Sequence, residues 1–106
     1  MKLYGLTLTD AQWVKCKALA SHPDIVAARE VITLYKSHDQ GLALFRTTAG
    51  NRIAEITVRA ALNKPLTVGL ARYVNAWLID SNPMFCDFFR VLNDVLGREY
   101  IQGVPK

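Results

Sequence analysis

The sequence predicts a mainly α-helical single domain spanning residues 1–106, a small bundle of about five helices. Three observations support this fold class: helix-start signals recur along the chain, apolar residues repeat at helical spacing in its second half, and 51% of the residues are hydrophobic against 21% charged. That composition is typical of a compact globular domain rather than a disordered chain. The alternative is an α+β domain, in which a short β-hairpin near residues 42–58 replaces one helix.

The first two helices are predicted from their N-terminal signals. Thr9 and Gln12 have the spacing of a capping box, which predicts a helix that ends near residue 20. Pro23 in a first turn, with Asp24 near the positive end of the helix dipole, starts a second helix that should end near Ser37. Because few residues separate the two helices, we expect them to pack as an antiparallel pair.

Residues 39–63 carry mixed signals. β-branched residues such as Ile53 and Ile56 favour a strand, and residues 47–51 could form the turn of a hairpin. Several alanines nearby favour a helix that is capped by Asn51 and stopped by Asn63-Lys64-Pro65. A third interpretation has a strand to Val58 and then a helical turn. We favour the helix.

The last part of the chain predicts two further helices. Thr67 is a candidate cap for a helix whose apolar residues repeat at i, i+3, i+4 and i+7, namely Leu70, Tyr73, Val74 and Trp77. Asn82 and Pro83 restart the chain as cap and first helical residue, and the following helix should reach Leu96 and stop at Gly97. We expect these two helices to form a central helical hairpin, with the first two helices packed over it.

The helix from Met84 to Leu96 is apolar on most sides, with a thin polar stripe formed by Asp87, Arg90 and Asp94. One interpretation is a central helix surrounded by the other helices. The other is a contact surface for a second copy or a partner, because an exposed apolar patch of that size is unusual on a monomer. The predicted dimer or partner interface consists of Phe85, Phe88, Phe89 and Leu92.

Positive charge is concentrated in the middle of the chain. The formal net charge is +4, and residues 40–79 hold five basic residues against one acidic residue, Glu55. Such a cluster attracts a polyanion, and if residues 51–62 are helical, Arg52 and Arg59 share one face at a separation of about 10 Å. The alternative is an ordinary solvent-exposed face on which Glu55 pairs with both arginines. The predicted nucleic-acid contacts are Arg46, Arg52, Arg59, Asn63, Lys64 and Arg72.

The sequence offers no motif for catalysis, a cofactor or a metal ion. His22 and His38 lack the partners of a catalytic arrangement, and no set of His, Cys, Asp or Glu has metal-ligand spacing. Cys16 and Cys86 stand in apolar surroundings, which predicts two buried thiols. Without an apolar run long enough to cross a membrane or act as a signal peptide, we expect a cytoplasmic location.

These observations predict a small, basic, non-enzymatic intracellular binding module that contacts nucleic acid through its central cations and forms a homodimer through its last helix. The alternative function is a protein–protein interaction accessory or inhibitor. It would use the apolar faces around Phe85 and Phe88, or the exposed parts of Tyr73 and Trp77.

Overall fold

The computed structural model describes residues 1–34 and 42–105, with side chains described up to Ile32 and again from Ala49. Two short strands are followed by five helices within these residues, which confirms the mainly α-helical prediction. The elements are β1 (Lys2–Leu3), β2 (Leu6–Thr7), α1 (Asp10–Ala20), α2 (Pro23–Leu34), α3 (Leu42–Ala61), α4 (Val68–Ile79) and α5 (Pro83–Leu96).

The β-hairpin lies at the N-terminus. Strands β1 and β2 pair antiparallel around Tyr4 and Gly5, whose φ angles are 52° and 75°. Positive φ at both central residues is the geometry of a two-residue hairpin turn whose twist matches that of the strands. The hairpin considered near residues 42–58 is therefore wrong, because those residues belong to α3.

Helix α3 forms because its apolar residues fall on one side at helical spacing. Ala49, Ile53, Ile56 and Ala60 recur at i, i+4, i+7 and i+11, and none is more than 2% exposed. The β-branched residues that favoured a strand are thus accommodated by burial, which outweighs their weak local preference. Helix α3 begins at Leu42, well before the residue-51 start that the sequence indicated.

The predicted caps are confirmed at four positions. Thr9 accepts a hydrogen bond from the Gln12 amide at 3.1 Å and the Gln12 side chain accepts one from the Thr9 amide at 2.9 Å. Thr67 and Asn82 cap α4 and α5, and Gly97 ends α5 at φ 71° in the left-handed region. The predicted end of α2 near Ser37 lies outside the described residues.

Helix α5 is the central helix, packed against α2, α3 and α4, while α1 lies on α2 and α3. The side chains of Phe85, Phe88, Phe89 and Leu92 are completely buried within the chain. They have no surface with which to contact another molecule, which corrects their assignment as a dimer or partner interface. The apolar character of α5 is explained by its neighbours in the same chain.

Helix α4 is fixed to α5 by aromatic packing. The Trp77 and Phe85 rings stack with centroids 3.9 Å apart and an interplanar angle of 5°. Tyr73 meets both rings edge-on, at 6.1 Å from Trp77 and 6.0 Å from Phe85. Such pairs add about 0.5–1.5 kcal/mol beyond the apolar area that they bury. Tyr73 and Trp77 remain half-buried, so the outer side of α4 faces solvent.

The C-terminal tail is held against this core. The Asn93 side chain donates to the Ile101 carbonyl and accepts from the Ile101 amide, both at 2.8 Å. Ile101 is 2% exposed, and the Arg90 guanidinium donates to the Pro105 carbonyl at 3.0 Å. The residues after α5 therefore form part of the domain's structure.

Candidate nucleic-acid interface

The structure separates the six predicted contacts into different roles. Arg52, Lys64 and Arg72 are exposed. Arg59 is committed to contacts inside the domain, and Asn63 occupies a helix-ending turn. Arg46 lies in α3, but its side chain is outside the described residues.

Arg59 acts as an internal anchor. Its guanidinium donates to a Glu55 carboxylate oxygen at 3.0 Å, to the Tyr4 carbonyl at 3.2 Å and to the Pro65 carbonyl at 3.4 Å. The Arg59 side chain is 12% exposed and that of Glu55 is 23% exposed. Arg59 thus ties α3 to the N-terminal hairpin and to the α3–α4 connection, and its charge is already balanced by Glu55.

Asn63 is placed by the way α3 ends. Its φ angle is 55°, its amide donates to the Ala60 carbonyl at 3.1 Å, and the Lys64 amide donates to the Arg59 carbonyl at 2.8 Å. This pair of bonds is the Schellman motif, in which glycine or asparagine takes the left-handed position after the helix. The structure therefore explains Asn63 as a helix stop.

Arg52 lies against an aromatic ring. Its guanidinium carbon is 5.0 Å from the centroid of the Tyr73 ring, within the range of a cation–π contact. Burial raises the pKa of Tyr73, while the neighbouring Trp77 side chain and the Arg52 charge lower it in part. The contact links α3 to α4, and it leaves the Arg52 side chain exposed.

Among the predicted cations whose side chains the structure describes, Lys64 and Arg72 have the fewest contacts. Both are exposed, and neither side chain has an ion pair or hydrogen bond with another described residue. The backbone of Lys64 is nevertheless fixed, because its carbonyl accepts a 2.6 Å hydrogen bond from the Tyr100 hydroxyl. The Lys64 ammonium and the Arg72 guanidinium can therefore bind a ligand without breaking a described contact.

Sequence reasoning missed Arg98. Its guanidinium donates to the Ala60 carbonyl at 2.8 Å, near the C-terminal end of α3, and stands 5.9 Å from the centroid of the Tyr100 ring. A cation near a helix C-terminus interacts favourably with the helix dipole. Burial raises the pKa of Tyr100, and the charges of Arg59 and Arg98 partly offset that rise. No local signal could indicate this pairing, because Ala60 and Arg98 are 38 positions apart.

The surroundings of Lys64 and Arg72 contain few acidic residues. Residues 56–79 include no aspartate or glutamate, and Glu55, immediately before them, is paired with Arg59. A groove of about 320 Å³ runs between α4 and the C-terminal tail, and its described lining, which includes Pro65, Asn75 and Tyr100, carries no carboxylate. Arg52, Lys64 and Arg72 make no ion pair with a described carboxylate.

The described part of the chain shows no metal centre and no membrane span. No three of its His, Cys, Asp or Glu side chains are grouped so that they could hold a metal ion. None of the helices described here is both long enough and apolar enough to cross a bilayer. Cys16 and Cys86 are free and buried, as predicted, and burial raises the pKa of the Cys16 thiol.

Comparison of the chain with protein-family models, with curated proteins and with solved structures finds no match.

Proposed function

We propose that the protein is a binding module that contacts nucleic acid electrostatically through Arg52, Lys64 and Arg72. The observation that carries the proposal is that these three exposed side chains make no described ion pair, and that Lys64 and Arg72 lie within a 24-residue stretch without acidic residues, residues 56–79. Lysine and arginine neutralise backbone phosphates and release condensed counterions, which gives binding without sequence preference.

The three cations belong to a fixed part of the domain. The Arg52 guanidinium carbon lies 5.0 Å from the Tyr73 ring, and Arg72 is the residue before Tyr73 on α4. Lys64 follows the Schellman turn that closes α3, and Tyr100 holds its carbonyl. Because their backbones are held in place, binding a phosphate requires ordering only of the side chains.

The test compares two double variants with the same loss of charge. Lys64→Gln/Arg72→Gln removes two proposed contacts, and Lys2→Gln/Lys15→Gln removes two exposed cations from the N-terminal part of the chain. Fluorescence anisotropy with labelled DNA and RNA at about 50 mM salt measures the affinity, at a salt level where phosphate contacts are strong. We expect the first variant to bind much more weakly than the wild type and the control to keep the wild-type affinity. Absence of wild-type binding, or equal loss in both variants, contradicts the proposal.

A second candidate function is a protein-binding accessory, favoured by apolar exposure on α4. Val68 is 70% exposed and Ile79 is 85% exposed, at the two ends of that helix. Together with Arg72 and Asn75 they follow helical spacing along its outer side. The test is capture of a partner protein from nuclease-treated lysate. Capture that is lost in Val68→Ser/Ile79→Ser and kept in Lys64→Gln/Arg72→Gln would favour this function over nucleic-acid binding.

A further inference from the structure

A groove between α2 and α5 combines an apolar floor with an acidic rim. Its volume is about 320 Å³. The lining residues used below, named here the acidic groove, are Asp24, Ala27, Val31, Asp87, Val91 and Asp94.

The acidic groove follows the antiparallel packing of its two helices. Asp24, at the start of α2, and Asp94, near the end of α5, both line the acidic groove. Val31 and Asp87 line this groove and also an adjoining groove towards the start of α5. The groove thus has two carboxylates at one end, a third at the other, and valines between them. Asp87 and Asp94 are seven residues apart, about 10 Å along the helix.

The rim carboxylates are available to a cation. Asp24 and Asp94 make no ion pair with any described residue. Asp87 pairs with Arg90 at 3.4 Å, but both side chains are largely in solvent, at 58% and 42% exposed, so the pair is weak. Val31, on the floor, is 53% exposed.

The same chain carries a surface of opposite charge on α1. Val14 is 59% exposed there and shares a shallow depression with Lys17, Ala18 and Arg29. These four residues are named here the basic face. The basic face has a small apolar stripe, formed by Val14 and Ala18 at i and i+4, with the Lys17 cation beside it. This combination complements the apolar floor and the acidic rim of the acidic groove.

The two surfaces point in different directions. At 100° per residue, the α2 residues of the acidic groove (Asp24, Ala27 and Val31) lie roughly 160° around the helix from those of the α1 side (Val26 and Arg29). A single copy therefore cannot bring its basic face to its own groove. Two copies can do so head to tail, and the pair then retains one free groove on one copy and one free basic face on the other, as in a heterologous interface.

We propose that the chain self-associates head to tail, the basic face of one copy docking into the acidic groove of the next, with Lys17 facing Asp94. A contact of about two helical turns is small, which places it among weak interfaces. The proposal does not depend on the proposed function, because Arg52, Lys64 and Arg72 take no part in it.

The test exchanges charge across the contact. Lys17→Glu and Asp94→Lys each place like charges opposite one another, and each should lower the apparent association constant by about tenfold. Asp94 lies in the last turn of α5, where the helix dipole favours a cation, so Asp94→Lys should fold normally. Circular dichroism checks this for both variants.

Sedimentation equilibrium measures the outcome. The wild-type average mass should rise above the 11.9 kDa of one chain as concentration increases, and fall as salt is added. An equimolar mixture of the two variants, and a chain carrying both changes, should associate again. A wild type that stays monomeric, single variants that associate as the wild type does, or a mixture that does not recover association would overturn the proposal. If the protein stays monomeric and its acidic groove binds an added basic peptide instead, the partner of the groove is a different chain, and this result also overturns the proposal of self-association.

Discussion

The same substitution to glutamine is predicted to lower stability at Arg59 and to leave it unchanged at Arg72. Arg59→Gln removes a charge-assisted hydrogen bond to the part-buried Tyr4 carbonyl, about 1.5 kcal/mol. It also removes the i,i+4 pair with Glu55, about 0.5 kcal/mol. The exposed 3.4 Å bond to Pro65 adds little. The free energy of unfolding should therefore fall by about 2 kcal/mol.

Thermal denaturation followed by circular dichroism measures this loss. In a domain of this size 1 kcal/mol moves Tm by about 4 °C, so Arg59→Gln should lower Tm by about 8 °C. Arg72→Gln removes the same charge from a side chain without a described partner, and should leave Tm unchanged while weakening nucleic-acid binding. Equal Tm values for the two variants would refute the internal role of Arg59.

Substitutions at three further positions test other contacts. Asn93→Ala removes both hydrogen bonds to the Ile101 backbone, and urea denaturation should show a loss of about 2 kcal/mol; an unchanged midpoint would mean that the tail is not held there. Asn63→Gly keeps the left-handed helix stop, so the midpoint should stay the same or rise slightly, whereas Asn63→Val should lower it. Tyr100→Phe should cost about 1 kcal/mol at neutral pH through the lost bond to Lys64. The folded-state pKa of Tyr100 is raised, so the stability that Tyr100 contributes is complete below pH 10 and is lost as the pH rises through that higher pKa. In alkaline denaturation, Tyr100→Phe should therefore lose less stability than the wild type.

The elements that the sequence predicted correctly are those with local signals. The Thr9–Gln12 capping box, the Asn82 cap and the Gly97 stop each involve residues within one helical turn, so their residue types and spacing suffice. The N-terminal hairpin was missed because two-residue strands are too short to show an alternating pattern.

The candidate site was predicted less well, because burial and ion pairing depend on residues far apart in the chain. The hydrogen bond from Arg59 to the Tyr4 carbonyl joins residues 55 positions apart. The sequence around Arg59 therefore cannot indicate that its side chain is bonded within the domain. The phenylalanines of α5 posed the same problem. An apolar helix has the same pattern whether its own chain or a second chain covers it, and only the packing of α2, α3 and α4 around it decides between them.

The salt dependence of nucleic-acid binding tests the central claim most directly. Three phosphate contacts predict a slope of about −2.7 for log K against log salt on duplex DNA, and removing Lys64 and Arg72 should reduce it to about −0.9. The Lys2→Gln/Lys15→Gln control should keep the wild-type slope. A wild-type affinity that does not change with salt, or a slope reduced equally by the control, would contradict the account.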